Sequence, residues 1–369
     1  MSRYLFGTTG MESCDSKAWK HSKVGFKYME DWCYIGDLYT PENDQEWILR
    51  QKGGSQAAFT EEKRTMVSKT TISQTTFGFE FHNPKYEIKL NPLGIDWLGK
   101  HWILGDDKKM RLYTNCIMLD PKVVKYRDYL TSHYKQVTGG DEIQEGGKEN
   151  QQGGTLAKVE YPESSENLIL VIKEYIFKKA LSHKLAQAST GSEWMLEGMI
   201  GAGLEIHQDF SGVCIIVAAG TGILPFIDLL DLLYKKALYR GLKKQGADTS
   251  VVKPEQDYEA FFPGAKFKLF CAFRTIEDFI GYEWIGHLAE LSNQHEMGLF
   301  ECIARVKADG LNMGGIKTTQ DYFNKEFFER NATKQRFEKL WVCGPPKMHV
   351  TVFDDFVSLG TSPDKILFI

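Results

Sequence analysis

From Gly212 onward the chain reads as continuous apolar runs alternating with stretches of helical spacing, and few architectures accept that text. "GVCIIVAAG" offers no polar face. A half-solvated strand would alternate, whereas a strand covered on both sides has no reason to. "PFIDLLDLLYKKALYR" follows with helical periodicity. The pattern then repeats: "KFKLFCAF" and a helix around "IGHLAELSN", "ECIARVK" and a helix around "QDYFNKEFFERN". Last come "KLWVCG", a helix from Pro346, and "KILFI". Strands alternating with helices predict a doubly wound parallel sheet over 212–369. Residues 245–263 interrupt it and read as a surface insertion.

The text before Gly212 has a different rhythm. "TISQTTFGFEFHNP", "YEIKLNP", "KHWILGDDKKMRLYTNCIML", "NLILVIKEYIF" and "WMLEGMIGAGLEI" are β-branched and aromatic runs broken by Gly, Pro, Asn and Asp. They predict an antiparallel barrel or sandwich over 71–211. A short helical segment, "KKALSHKLAQAST", lies within it, as does a polar insertion over about 118–166 whose Gly-rich part is "VTGGDEIQEGGKENQQGGT". Residues 1–70 form an aromatic-rich arm with no repeat and no motif.

Composition narrows the function. A net charge of −4 provides no basic field for nucleic acid or anionic lipid. The 7 cysteines are scattered, with no CxxC and no His/Cys cluster at metal spacing, so no metal is expected. Buried reduced thiols in an intracellular compartment, cytoplasmic or mitochondrial, are the expectation. No apolar run reaches membrane-spanning length, and the first residues carry no signal-like apolar core.

Two turns between strand and helix stand out. "AAGTGILPF", Ala218 to Phe226, puts small residues where a phosphate could meet backbone N–H groups, with Pro225 suited to a first helical turn. A lone GTG is equally well a tight βα turn. "CGPPKM", Cys343 to Met348, ends a strand and starts a helix on Pro345 and Pro346, which suits a ligand at a strand's carboxyl end. "GMIGAG" at Gly198 has no helix after it and reads as a loop.

Taken in order, "RLYT" (Arg111 to Thr114) at a barrel strand's end, "AGTGILP", "CGPPKM" and a final strand carrying Phe368 resemble the ferredoxin–NADP reductase superfamily. The likeness is greatest to its NADH–cytochrome b5 reductase branch, and it covers residues 70–369. The resemblance implies an FAD-binding barrel followed by a domain for NADH or NADPH. Arg111 would pair with the FAD pyrophosphate, Tyr113 would lie against the isoalloxazine or ribityl chain, and Thr114 would bond near flavin N5. Ser182 would cap the pyrophosphate. Gly220, Thr221, Gly222 and Pro225 would receive the dinucleotide. Cys343 would sit beside the nicotinamide, with Gly344 and Pro345 opening the cleft and Pro346, Met348 and Phe368 as further cofactor-binding positions. Cys343, Thr114 and Thr221 are thus the expected catalytic positions. Asp278 in "CAFRTIEDF" matches the acidic position of NADH users, whereas Arg274 could meet a 2′-phosphate.

The sequence departs from the family pattern at three places. Lys179 stands where the loop ending in Ser182 should carry glycine, Ala219 replaces the first glycine of the dinucleotide turn, and "NCIM" follows "RLYT". Three functions follow. One is a flavoenzyme passing electrons singly from NAD(P)H to a separate haem or iron–sulfur protein. Another is a catalytically degenerate subunit of a larger mitochondrial or cytoskeletal assembly, docking through the N-terminal arm and the 118–166 insertion. The least expected is a sensor that binds dinucleotide without flavin, since the "AGTG" and "CGPP" half keeps the pattern better than the flavin half.

Overall fold

The computed structural model describes residues 63–82, 88–89, 98–106, 109–139, 159–161, 164–165, 167–176, 180–252, 258–294, 298–306, 312–332 and 337–369. Most of the arm, the Gly-rich stretch and Lys179 therefore lie outside the described residues.

The first sheet contains β1 (Lys63–Ser73), β2 (Thr76–His82), β3 (His101–Asp106), β4 (Lys109–Thr114), β5 (Asn167–Lys173) and β6 (Glu193–Ile200), in the order β4-β3-β6-β1-β2-β5. Every pairing is antiparallel. The two edges are joined as well. Asn115, just past β4, bridges to Leu170 of β5, and the Cys116 N–H donates to the Ile169 carbonyl at 3.0 Å. Closure removes the exposed edges, as a barrel does. β1 begins at Lys63, so the expected boundary at residue 71 falls inside this strand. Met66, Phe79, Phe81, Trp102, Leu168, Leu170 and Leu196 fill the interior. The short α2 (Leu181–Gln187) closes one end with Leu181 and Leu185; α1 is described below.

The second sheet is wholly parallel. It contains β7 (Val213–Ala219), β8 (Lys266–Ala272), β9 (Phe300–Arg305), β10 (Lys317–Thr318), β11 (Phe337–Cys343) and β12 (Ile366–Phe368), ordered β10-β9-β8-β7-β11-β12. Helices α3 (Ile227–Lys244), α4 (Tyr282–Gln294), α5 (Lys325–Asn331) and α6 (Pro346–Ser358) accompany it. The chain winds one way from β7 to β9 and the other way from β11. The gap outside the carboxyl ends of β7 and β11 is therefore a topological switch point, where sheets of this kind bind ligands.

Two expected surface segments are folded into the core. Within 118–166 the chain forms α1 (Pro121–Thr138), capped by Asp120, whose carboxylate accepts the Lys122 N–H at 2.8 Å, and ended by Gly139 at φ 64°. Val123, Tyr126, Leu130 and Tyr134 are buried, at i, i+3, i+7 and i+11, so one face of the helix is apolar. That face covers α3, and even Lys235 and Lys236 of α3 are 1% exposed. Lys235 pairs with Asp231 at 2.8 Å, and Lys236 donates to the Phe261 carbonyl. The second correction concerns residues 245–263, where Val252, Tyr258, Phe261 and Phe262 are buried against the same face. Neither segment carries in its own text the neighbour that covers it.

Candidate functional site

The barrel side of the site is built on β4 and α2, which pack together. Arg111 is half-buried, with Nη1 donating to the Met110 carbonyl at 2.9 Å. Tyr113 is half-buried too, its hydroxyl held above the ordinary tyrosine range by burial, an effect the Arg111 charge opposes and Tyr175 reinforces. Ser182 Oγ accepts the Tyr175 N–H at 3.2 Å. The structure thus brings Arg111, Tyr113 and Ser182 to one end of the barrel. Thr114 lies on the other side of β4, with Oγ1 3.0 Å from His101 Nδ1. Burial lowers the His101 pKa to about 4, so this imidazole is neutral.

The dinucleotide side lies at the switch point. Residues 220–226 form a 3-10 turn after β7, and α3 starts only at Ile227; Pro225 lies within that turn rather than in the first α-helical turn. Gly220 has φ 54° and open space where a Cβ would stand, leaving its backbone approachable. Gly222 has a different cause. A Cβ there would lie 2.1 Å from the Cys343 carbonyl oxygen, so its missing side chain makes room for β11 itself. The two turns read separately in the sequence are therefore packed on each other.

On β11's turn, Pro345 caps α6 and Pro346 opens it, as the text suggested. Cys343 is half-buried and burial pushes its thiol pKa up to about 12, so it is a neutral contact group and no nucleophile. The Gly344 N–H donates to His349 Nε2 at 3.1 Å. His349 is 1% exposed, stacked on Phe368 with ring centroids 5.1 Å apart. Sequence reading missed His349, and a lone histidine in a helix gave it no signal. Phe368, expected as a cofactor contact, is 8% exposed and packs on His349 and Phe353. The physical reason is strand alternation: Phe368 faces α6 and packs in one core with Phe353, while its neighbour Leu367 faces the other side of the sheet. Met348 is half-buried beside Gly344.

The halves are physically joined. Asp228, in the first turn of α3, accepts the Met118 N–H at 2.9 Å and the Ile117 N–H at 3.3 Å. The Cys116 thiol lies 4.0 Å from the Leu224 carbonyl. Lys173 of β5 meets Asp278, beyond β8, at 3.1 Å. At the carboxyl ends of β8 and β9 stand Arg274, exposed, and Arg305, stacked 4.0 Å over the Tyr322 ring.

The donors fit the two expected groups unequally. Gly220's open backbone at a strand end, with guanidinium groups on neighbouring strand ends, fits a nicotinamide dinucleotide. On the barrel side a flavin would find an aromatic wall in Tyr113 and a cation in Arg111. On α2, Lys184 is already engaged with Asp106 at 2.5 Å, and His183 Nδ1 lies 2.7 Å from a Glu174 carboxylate oxygen. The aromatic wall and the guanidinium are the groups that would meet a flavin here.

No protein-family model matches the sequence, and no curated protein matches it. Solved structures do. The cytochrome b5 reductase domain of nitrate reductase from Ulva prolifera is 14% identical over 84% of this chain and 97% of that one, with TM-score 0.50. The CS-b5R domains of human Ncb5or (NAD+ form) are 14% identical over 83% and 68%, with TM-score 0.49. A ferredoxin NADP+ reductase from Neisseria gonorrhoeae with bound FAD and NADP is 14% identical over 84% and 97%, with TM-score 0.48. The first of these likenesses shows that the chain has the ferredoxin-reductase fold, a flavin-type barrel followed by a dinucleotide-type parallel sheet. No helix among the described residues is long and apolar enough to cross a membrane.

Proposed function

We propose that the chain is an NAD(P)H-dependent reductase that passes electrons through FAD to a separate one-electron acceptor, a haem or iron–sulfur protein. The observation that carries this reading is the junction: the end of the Arg111–Thr114 strand and the Gly220–Phe226 turn are held together by Asp228 and Cys116. Two half-sites fixed at one seam are what transfer between two bound groups needs. A bound flavin would supply the acceptance of a hydride and its release as single electrons. Arg111 then neutralises pyrophosphate charge and Tyr113 walls the ring system. Gly220 and Thr221 receive the dinucleotide, and the Cys343–Pro345 turn bounds the nicotinamide without competing chemistry. The described cysteines are all free thiols, which suits a reducing compartment, cytoplasmic or mitochondrial.

A second reading, an accessory subunit that keeps the fold without turnover, is favoured by the engagement of Lys184 with Asp106, which withholds that cation from a pyrophosphate. Its docking surface would be the N-terminal arm and the part of the 118–166 insertion beyond α1. An absorption spectrum of the purified chain with added FAD, before and after anaerobic NADH and NADPH, separates the two. The expected result is a flavin band that either nucleotide bleaches. The flavin should be lost on gel filtration, and Arg111→Ala should weaken its binding about tenfold or more, the scale of one charge-assisted bidentate contact. A colourless chain that takes up no FAD sinks the enzyme.

Nucleotide preference follows from the Lys173–Asp278 pair. An acidic side chain past the second strand can bond a ribose 2′-OH, but here Lys173 holds it. Lys173→Ala is expected to shift the NADH-to-NADPH affinity ratio toward NADH by about fivefold, the upper scale of a partly exposed ion pair. Titrating both nucleotides against each protein checks this, and an unchanged ratio removes Asp278 from the specificity site.

A further inference from the structure

Asp228 is a buried carboxylate at a seam where nothing in the sequence marked a function. It belongs to the dinucleotide side, in the first turn of α3, two residues after the Gly220–Phe226 turn ends. Both of its oxygens reach the flavin side: Oδ1 accepts the Met118 N–H at 2.9 Å and Oδ2 accepts the Ile117 N–H at 3.3 Å. Those amides follow directly on the end of β4, three and four residues past Thr114. Two consecutive N–H groups aimed at one carboxylate fix both position and orientation of the segment. We propose that Asp228 is a positioning residue that latches the end of the flavin-side strand to the dinucleotide-side turn, so that this one carboxylate sets the register of the two half-sites. It rests on the reductase reading only for the use to which that register is put.

The surroundings make the latch responsive to its own ionisation. On α3, Asp231 and Lys235 face Asp228 with opposite effects. From α1, Arg127 donates to the Met118 carbonyl at 3.1 Å and lies 3.8 Å from Asp231. From the latched segment comes the Cys116 thiol, and from 159–161 the Tyr161 hydroxyl, both raised by burial and by this acidic neighbourhood. Burial dominates, raising the Asp228 carboxyl to about 7. Opening the latch would hydrate the carboxylate and return it toward its ordinary value. Linkage then gives the sign: ionisation favours the open junction, so the seam is held most tightly near the ordinary carboxyl range, loosens as pH rises toward 7, and changes no further above it.

Hydrogen exchange of the Ile117 and Met118 amides in the full-length chain tests this, corrected for intrinsic exchange. In the wild type the open fraction should rise by up to about tenfold per pH unit between about pH 5 and 7 and level off above 7. Asp228→Asn keeps an accepting oxygen without the charge, and its open fraction should be flat with pH. Asp228→Ala should open the two amides at least tenfold at every pH. Equal pH dependence in wild type and Asp228→Asn, or exchange in Asp228→Ala equal to wild type, overturns the proposal. If Asp228→Ala does not fold, the Asp228→Asn comparison decides alone. Quenching of tryptophan fluorescence by NADPH, read on the same samples, reports separately on the reductase reading. A wild type that binds no nucleotide yet shows the pH-dependent seam would sink that reading and leave the latch standing.

Discussion

Gly222→Ala is expected to unfold the second domain or leave it severely destabilised, while Gly220→Ala folds and loses nucleotide. The two glycines stand two residues apart in the same turn, and sequence reading gave them one role. A Cβ on residue 222 would lie 2.1 Å from the Cys343 oxygen and 2.6 Å from its carbonyl carbon. Those atoms belong to a neighbouring strand: β7 and β11 pair in register through Ala218 and Cys343, so neither backbone can withdraw without breaking the ladder. Overpacking a core costs about 1–3 kcal/mol when side chains can give, and this contact is with backbone, so more than about 3 kcal/mol is expected. At Gly220 the added methyl meets open space, and the cost is the left-handed backbone alone, about 1–2 kcal/mol. That methyl would stand where the dinucleotide must approach. Thermal melts and NADPH titration of both variants check the pair. A stable Gly222→Ala protein, or a Gly220→Ala protein that binds as tightly as wild type, would show that the turn is not built as described.

Acid is expected to destabilise the protein before its ordinary carboxylates protonate, through imidazoles kept neutral by burial. His101, His287 and His349 all have pKa values lowered to about 4. For each, the unfolded chain takes a proton near pH 6.5 and the fold does not. The stability from these groups is whole above pH 6.5 and is lost as pH falls toward 4, about 1.4 kcal/mol per unit for each fully buried group. Asp228 and Asp355 act oppositely, since burial raises their carboxyls to about 7 and about 6. Between pH 6 and 4 three imidazoles therefore work against the fold and two carboxyls for it. The net is one proton, at most about 3 kcal/mol over that range. Denaturant unfolding at pH 6.5, 5 and 4 measures the slope. His349→Gln offers the Gly344 N–H an uncharged acceptor, and is expected to flatten the slope toward zero. A slope that the substitution leaves unchanged would mean that His349 does not stay neutral.

These two predictions show where the sequence spoke and where it did not. The strand-to-helix turns at 218–226 and 343–348 were legible because their chemistry is local. Small residues permit backbone approach, and Pro345 and Pro346 can cap and open a helix wherever the chain puts them. The Gly222–Cys343 contact was not legible, because it joins residues 121 positions apart through a sheet register. α1 lay between these cases. Its signals were present, with Asp120 and Pro121 at the start and Gly139 at the end. They were outweighed by the polar text that follows.

The sequence alone determined the two domain types and their order. Short unbroken apolar runs alternating with helical spacing suit strands covered on both faces, and interrupted β-branched runs suit an antiparallel barrel. It also determined where along the chain a ligand could meet open backbone. Tertiary structure decided which groups are used and which are spent. Phe368 went to the core because β12 lies under α6, and Asp278 went to Lys173 because β5 crosses the seam beside it. Asp228 became the latch because α3 starts where β4 ends. Each of these is a contact between segments far apart in the chain, set by the packing of elements whose periodicity says what they bury but not against whom.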